Sequence, residues 1–298
     1  MKDIKNILVG LDLSMLDQTI LKCSALLKRY YPKLNISFAH IIPDSILHEM
    51  DIPEIKAISR EQLQVIKEEL KEEIESYFGE DENYKLFIKT GNPFLQIIDL
   101  AIHQDTDLLL MGKKHDLRGS GILPQELIRF SPTHLLFIPE KSHCAMSEII
   151  VCNDFSEYSA MAMESALALA RKNPGEITIT SLHVSHTHDD EYASQEVIEK
   201  YNKFIERFDL DNIHVSPKFL TTKDPNIAPV ITRFVHQRKA NMVITGSRGL
   251  SAHEGMILGS LTERLVRSSL NAPLLVVKKP MTDPGMKEEM MRELYDLK

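Results

Sequence analysis

The 298-residue chain has no run of about twenty apolar residues, the length a bilayer-spanning helix needs, which excludes membrane insertion by that route. Positive charge is short: 35 Lys and Arg against 43 Asp and Glu give a formal net charge of −8. That balance argues against a general electrostatic grip on nucleic acid or an anionic membrane surface, although it allows a local basic pocket. The three cysteines, Cys23, Cys144 and Cys152, lack the spacing of a metal site or a disulfide framework. This suits a reducing, cytoplasmic location. The opening MKDIKNILVGLDLS has only a short apolar run, interrupted by Asp12, and reads as a strand rather than a signal peptide. Two phosphate-binding motifs are also missing. No Lys follows a glycine in P-loop register, and Gly119-Ser120-Gly121 lacks the third glycine of a dinucleotide fingerprint. What is present is the composition of a globular protein, 43% hydrophobic and 26% charged, long enough for two domains with a core each.

The chain repeats itself. Ile7–Ser14 (ILVGLDLS) recurs as Ile149–Ser156 (IIVCNDFS), each an apolar strand ending in Asp and followed by a Ser able to cap a helix. Ile36–Ile41 recurs as Ile179–Val184, Asp107–Gly112 as Asn241–Gly246, and Leu135–Pro139 as Leu274–Lys278. The copies meet near Glu140–Ser147. Within each, short strands apolar on both faces alternate with stretches such as Met161–Leu169 and Val230–Val235, whose apolar residues recur every three or four positions. The charge-rich stretches Lys67–Glu75 and Glu196–Lys203 read as solvent faces of crossover helices. The expected fold is α/β: two tandem doubly wound, Rossmann-like domains, 1–142 and 146–280, with a helical tail over 281–298. In the tail, Met286, Met290, Leu294 and Leu297 fall at helical spacing, as docking on its own domain requires.

The second copy carries a glycine pattern, G-x2-G-x9-G-S, filled by Gly246, Gly249, Gly259 and Ser260. It lies between the strand Met242–Ile244 and a helical run, Leu261–Leu270. Glycine permits positive φ and close approach to a ligand. The unpaired N–H groups and dipole of a helix start attract anions. In a doubly wound sheet this loop and Asp154, after the first strand of the copy, face one crevice at the carboxyl ends of the strands.

On these features both halves resemble universal stress protein domains, and the chain resembles a tandem member of that family. The resemblance rests on the strand-Asp-x-Ser openings, the strand-end His40 and His183, and the complete glycine pattern. It implies a five-stranded parallel sheet per domain and ATP, with Mg²⁺, in the second. Asp154 would contact the nucleoside and Val184 would offer its backbone to adenine. Gly246, Arg248 and Gly249 would shape the loop, and Gly259, Ser260, Leu261 and Thr262 would hold phosphates. Asn153 departs from the small residue or Pro of many members. The first half departs further: no glycine follows Gly112 at the required spacing, and the interval to Gly121 is shorter, so ATP binding of this type is not expected there.

Three functions follow: an ATP-binding stress or regulatory protein, a slow ATPase, or an interaction scaffold independent of nucleotide. Hydrolysis needs a group to activate water and charges to stabilise the phosphoryl group, and His253 and Glu254 are the local candidates. His183, His186, His188, Asp189 and Asp190 have metal-ligand chemistry, but a strand end running into a polar loop suits a solvated segment better. Partners are expected to be nucleotide and, through the tail, a second copy or another protein.

Overall fold

Residues 4–44, 60–80, 83–114, 123–173, 177–187, 194–249, 258–279, 281, 285, 289–292 and 294 are described by the computed structural model. The doubly apolar segments become strands and the three- and four-residue patterns become helices. The first half runs β1 (Asn6–Leu11), α1 (Leu16–Tyr30), β2 (Asn35–Ile42), α2 (Arg60–Phe78), β3 (Tyr84–Thr90), α3 (Pro93–His103), β4 (Leu108–Lys113), α4 (Leu123–Phe130) and β5 (His134–Pro139). The second runs β6 (Glu148–Cys152), α5 (Glu157–Lys172), β7 (Thr178–His186), α6 (Gln195–Ile205), β8 (Val215–Thr222), α7 (Ala228–Arg238), β9 (Met242–Gly246), α8 (Ser260–Arg267) and β10 (Leu274–Val277).

Each half is a parallel doubly wound sheet, but the two are not separate. The strand order is β3-β2-β1-β4-β5-β10-β9-β6-β7-β8, one ten-stranded sheet. At its centre β5 and β10 pair antiparallel, with Leu274 opposite Phe137 and Val276 opposite Leu135. The expectation of one core per copy is therefore corrected. Two apolar layers, one on each face, run through both halves. One unites Ile7, Val9, Leu108 and Leu110 with Ile149, Val151 and Ile244, under α1, α2 and α5. The other unites Leu8, Leu109 and Phe137 with Ile150, Val243 and Val276, under α3, α4, α7 and α8. The alternation is the period-two geometry of a strand. Leu294 is buried in this second layer with Met290 packed against it, while Met286 and Leu297 lie outside the described residues.

Lysines cross the seam in both directions. Lys278 Nζ donates to the carbonyls of Ile128 (2.9 Å) and Ser131 (2.5 Å) at the carboxyl end of α4. Burial and the nearby Arg248 push its amine down to about 7. From the other side, Lys113 Nζ donates to the Ser268 carbonyl at the end of α8.

The repeated residues have repeated structural roles. Asp107 Oδ2 accepts the N–H groups of Lys5 (2.8 Å) and Asn6 (2.9 Å), and Asn241 Oδ1 accepts those of Ser147 (3.2 Å) and Glu148 (3.0 Å). His40 Nδ1 bonds the Leu11 carbonyl at 3.0 Å, and His183 Nδ1 bonds that of Asn153 at 2.8 Å. Leu13 (φ 59°) and Phe155 (φ 66°) both occupy the left-handed region, which non-glycine residues rarely adopt.

The cysteine reading is overturned for two of the three. Cys23 of α1 and Cys144 of the connection between halves form a disulfide with Cα atoms 5.0 Å apart and 121 residues between them in sequence. That distance is within the span a disulfide bridges. Cys152 is free and buried. Among the described residues no helix is long and apolar enough to cross a membrane.

Candidate functional site

Strand order in the second half reverses between β6 and β9, and the sheet opens there at its carboxyl edge. β6 ends at Cys152 and turns sharply into α5. Asn153 builds that turn: its amide nitrogen donates to Ser181 Oγ (3.1 Å), and its oxygen accepts Phe155 N–H (2.8 Å). The departure at this position is thus a structural device. Asp154 Oδ1 accepts Ser156 N–H (3.1 Å) and Ser159 Oγ–H (2.6 Å), which fixes the carboxylate. The helix cap itself is Ser156, whose hydroxyl accepts Ser159 N–H, as the Asp-x-Ser pattern anticipates. The matching expectation for Ser14 fails. Met15 is the cap residue of α1 and makes no side-chain cap bond.

Val184 lies on β7 two residues beyond Leu182, the partner of the last residue of β6. In a strand the N–H and C=O of alternate residues point to the same side. Leu182 O accepts Asn153 N–H from the β6 side, so Val184 presents its backbone to that side, where β6 has ended. It faces the crevice.

The glycine loop leaves β9 at Gly246. Its base is closed by backbone bonds from Ser247 N–H to Val277 O and from Gly259 N–H to Ser247 O, both 2.8 Å. The expected positive φ is corrected: among the described glycines only Gly79 and Gly91 have it. What the loop glycines supply is space. A Cβ on Gly246 would lie 2.5 Å from Tyr158 Cβ and 2.9 Å from its carbonyl carbon. On Gly249 it would lie 2.3 Å from Asp154 Oδ2, and on Gly259 3.2 Å from Arg248 Cα. Gly259 is the N-cap of α8, and the first bond of the helix runs from Glu263 N–H to Gly259 O. The N–H groups of Ser260, Leu261 and Thr262 therefore precede the hydrogen-bonded ladder. The Thr262 hydroxyl is committed as a donor to Gly246 O at 2.7 Å, tying helix to strand. Arg248 stands beside Tyr158, its guanidinium carbon 6.0 Å from the ring centroid.

All nine residues singled out from the sequence, Asp154, Val184, Gly246, Arg248, Gly249, Gly259, Ser260, Leu261 and Thr262, line one cavity of about 190 Å³. Its wall includes the fixed Asp154 carboxylate and a helix start with Arg248 and Arg264, a place for negative charge. Pro225, Asn226 and Ile227, between β8 and α7, complete the wall and escaped the sequence reading. The turn-forming run Asp224-Pro225-Asn226 after a strand was the available signal.

Residues 146–278 match the family model described as the universal stress protein family. This half of the chain belongs to the universal stress protein family. A universal stress protein of Staphylococcus epidermidis is 23% identical over 162 residues, 49% of this chain and 95% of that one. One of Methanocaldococcus jannaschii is 30% identical over 86 residues, 29% of this chain and 46% of that one. The crystal structure of a universal stress protein from Archaeoglobus fulgidus superposes with a TM-score of 0.63 at 21% identity, covering 92% of this chain and 98% of that one. At that identity it shows a shared fold across both halves.

The histidines near the universal stress protein site have other partners. Burial pushes His183 below its usual range, and its ring stacks on Phe155 with centroids 4.6 Å apart. His186 Nε2 bonds the Lys223 carbonyl at 3.2 Å. His188, Asp189 and Asp190 lie outside the described residues, as do His253 and Glu254. Among the described residues no group of three His, Cys, Asp or Glu could hold a metal ion.

Proposed function

We propose that the chain is an ATP-binding stress-response or regulatory protein whose nucleotide is held by its second half. The observation that carries this reading is the convergence of nine residues, drawn from four separate stretches of sequence, on one crevice that holds both a carboxylate and a helix start. The donor set suits the ligand: α8 N–H groups and Arg248 for phosphates, Asp154 for ribose hydroxyls, and the Val184 backbone for adenine. Mg²⁺ would travel with the phosphates it neutralises. The volume decides one further point. Pockets that enclose small ligands run from roughly 300 to 1,000 Å³, so about 190 Å³ holds only part of a nucleotide.

The test is the nucleotide content of freshly purified protein, by acid extraction and chromatography, beside Gly259→Asp. ATP at one per chain, absent from the variant, is the expected result, because a carboxylate at the α8 start repels phosphate and crowds Arg248. ADP in its place would identify a slow ATPase. Protein that is empty and does not bind added ATP would reduce the loop to architecture and leave an interaction scaffold.

A further inference from the structure

The first half has a cavity at the matching place between β1 and β4, and it is of a different kind. Its volume is about 780 Å³, within the roughly 300–1,000 Å³ of ligand-enclosing pockets. Leu11, Leu16, Ile20, Ile41, Phe94 and Ile97 supply apolar walls. One side belongs to the other half: Val266 and Leu270, at the end of α8, reach across the seam to line it.

Each feature that suits phosphate in the second half is altered here. Where α8 begins with Ser260 and Leu261, α4 begins with Leu123 and Pro124, both in the cavity wall. In the register that matches Leu127-Ile128-Arg129 with Leu265-Val266-Arg267, Leu123 stands where α8 has Leu261 and Pro124 where it has Thr262, so proline removes one N–H and one hydroxyl from the helix start. Glu126 puts a carboxylate into the first turn of α4. Asp12, the counterpart of Asp154, is covered by Lys114, with Nζ 2.6 Å from Oδ2. Among the described residues four cations line the cavity, Lys113, Lys114, Lys141 and Arg267; Lys114 pairs with Asp12 and Arg267 with Glu263, and Lys113 ends a strand of the apolar sheet. Lys113, at the end of β4, lines the cavity and donates to the Ser268 carbonyl across the seam. An ammonium has three donors, so this bond leaves capacity for an anion. Burial pushes the amine down to about 8, and an anionic partner would restore its charge.

We propose that this cavity binds a long-chain carboxylate, its hydrocarbon chain against the apolar walls and its carboxylate on the Lys113 ammonium. The Lys113 ammonium, set among apolar walls, matches a singly charged head on a hydrocarbon chain. A phosphate would lack the complete set of helix N–H groups that α8 presents. The inference does not depend on nucleotide binding by the second half.

The full chain would be titrated with dansylaminoundecanoic acid, followed by fluorescence, and then challenged with palmitate, hexadecanol and ATP. Saturable binding at one site per chain is expected, with displacement by palmitate and not by ATP. Hexadecanol, which has the chain without the charge, should displace about tenfold more weakly or worse, as loss of a charge-assisted hydrogen bond implies. Leu123→Asp places a carboxylate in the cavity wall and should abolish binding, with circular dichroism showing that the variant keeps its fold. Lys113→Met leaves the apolar walls intact and should remove the discrimination between palmitate and hexadecanol. Absence of saturable binding, displacement by ATP, equal displacement by acid and alcohol, or acid–alcohol discrimination retained in Lys113→Met would each overturn the proposal.

Discussion

The two crevices sit at the same switch point of the same fold, framed by the same devices, and differ in size and lining. Asp107 and Asn241, His40 and His183, and the left-handed Leu13 and Phe155 do one job twice. The differences lie at the helix start, in the turn after the first strand and in the cavity walls. In one half a Gly-Ser-Leu-Thr helix start shares its cavity with an Asp carboxylate that accepts from Ser156 and Ser159. In the other a Leu-Pro start shares its cavity with an Asp already paired with lysine. A doubly wound sheet fixes where a ligand sits, and a handful of loop and helix-start residues decides its class.

The sharpest contrast is Asp17 in the first half against Ser159 in the second, at equivalent places in the turn after the first strand. Asp17 is fully buried, and burial pushes its carboxyl up to about 7 although it accepts the N–H groups of Asp12 and Leu13. The folded state therefore holds this proton more tightly than the unfolded chain, where the value is 3.8. Stability from this group is fully present below the unfolded value and is lost as pH rises towards about 7, an effect of about 4 kcal/mol. Asp17→Ser, which copies the second half, should flatten the stability profile across that window in urea titrations at successive pH values. An unchanged slope would break the comparison at this residue.

Next in size is the strand-end glycine of each half. A Cβ on Gly246 meets Tyr158 backbone at 2.9 Å, whereas one on Gly112 meets only the side-chain ends of Leu16 and Ile20. Gly246→Ala should cost about 1–3 kcal/mol by overpacking, with a lowered melting temperature, and Gly112→Ala clearly less. Equal costs would mean that the α5 start yields as easily as two leucine-type side chains. The smallest effect is expected from the Lys114–Asp12 pair, which is partly exposed, with side chains 35% and 50% accessible. Lys114→Ala should change stability by less than about 1 kcal/mol, measured by the same denaturation.

Much of this was legible in the residues because repetition doubles the signal. The pairing of Ile7–Ser14 with Ile149–Ser156 located the first strand of each half, and the glycine pattern located a crevice without any coordinates. What escaped depends on long-range geometry. Cys23 and Cys144 are 121 residues apart, and only the packing of the connection against α1 joins them. The antiparallel seam escaped as well, although a hint was present. Leu135–Ile138 and Leu274–Val277 carry no charge on either face, whereas solvent-facing edge strands are usually blunted by charge or proline. The residues alone allow the loop glycines either dihedral freedom or close approach, and the choice for clearance requires the neighbours Tyr158 and Asp154. The large first-half cavity left no motif because it arises from substitutions at the helix start and from side chains across the seam.

The β5–β10 seam bears on how such a molecule can diversify. A pair of identical subunits meeting on a two-fold axis must carry every substitution twice, so neither site can change without the other. Here the partners are encoded in one chain, held together by Ala145, Met146 and their neighbours at an effective concentration that dilution does not alter. Lys113 and Lys278 can therefore bridge the seam from unequal positions, and Pro124 can stand in one half where Thr262 stands in the other. Covalent continuity frees each half from the symmetry that its own fold would otherwise impose.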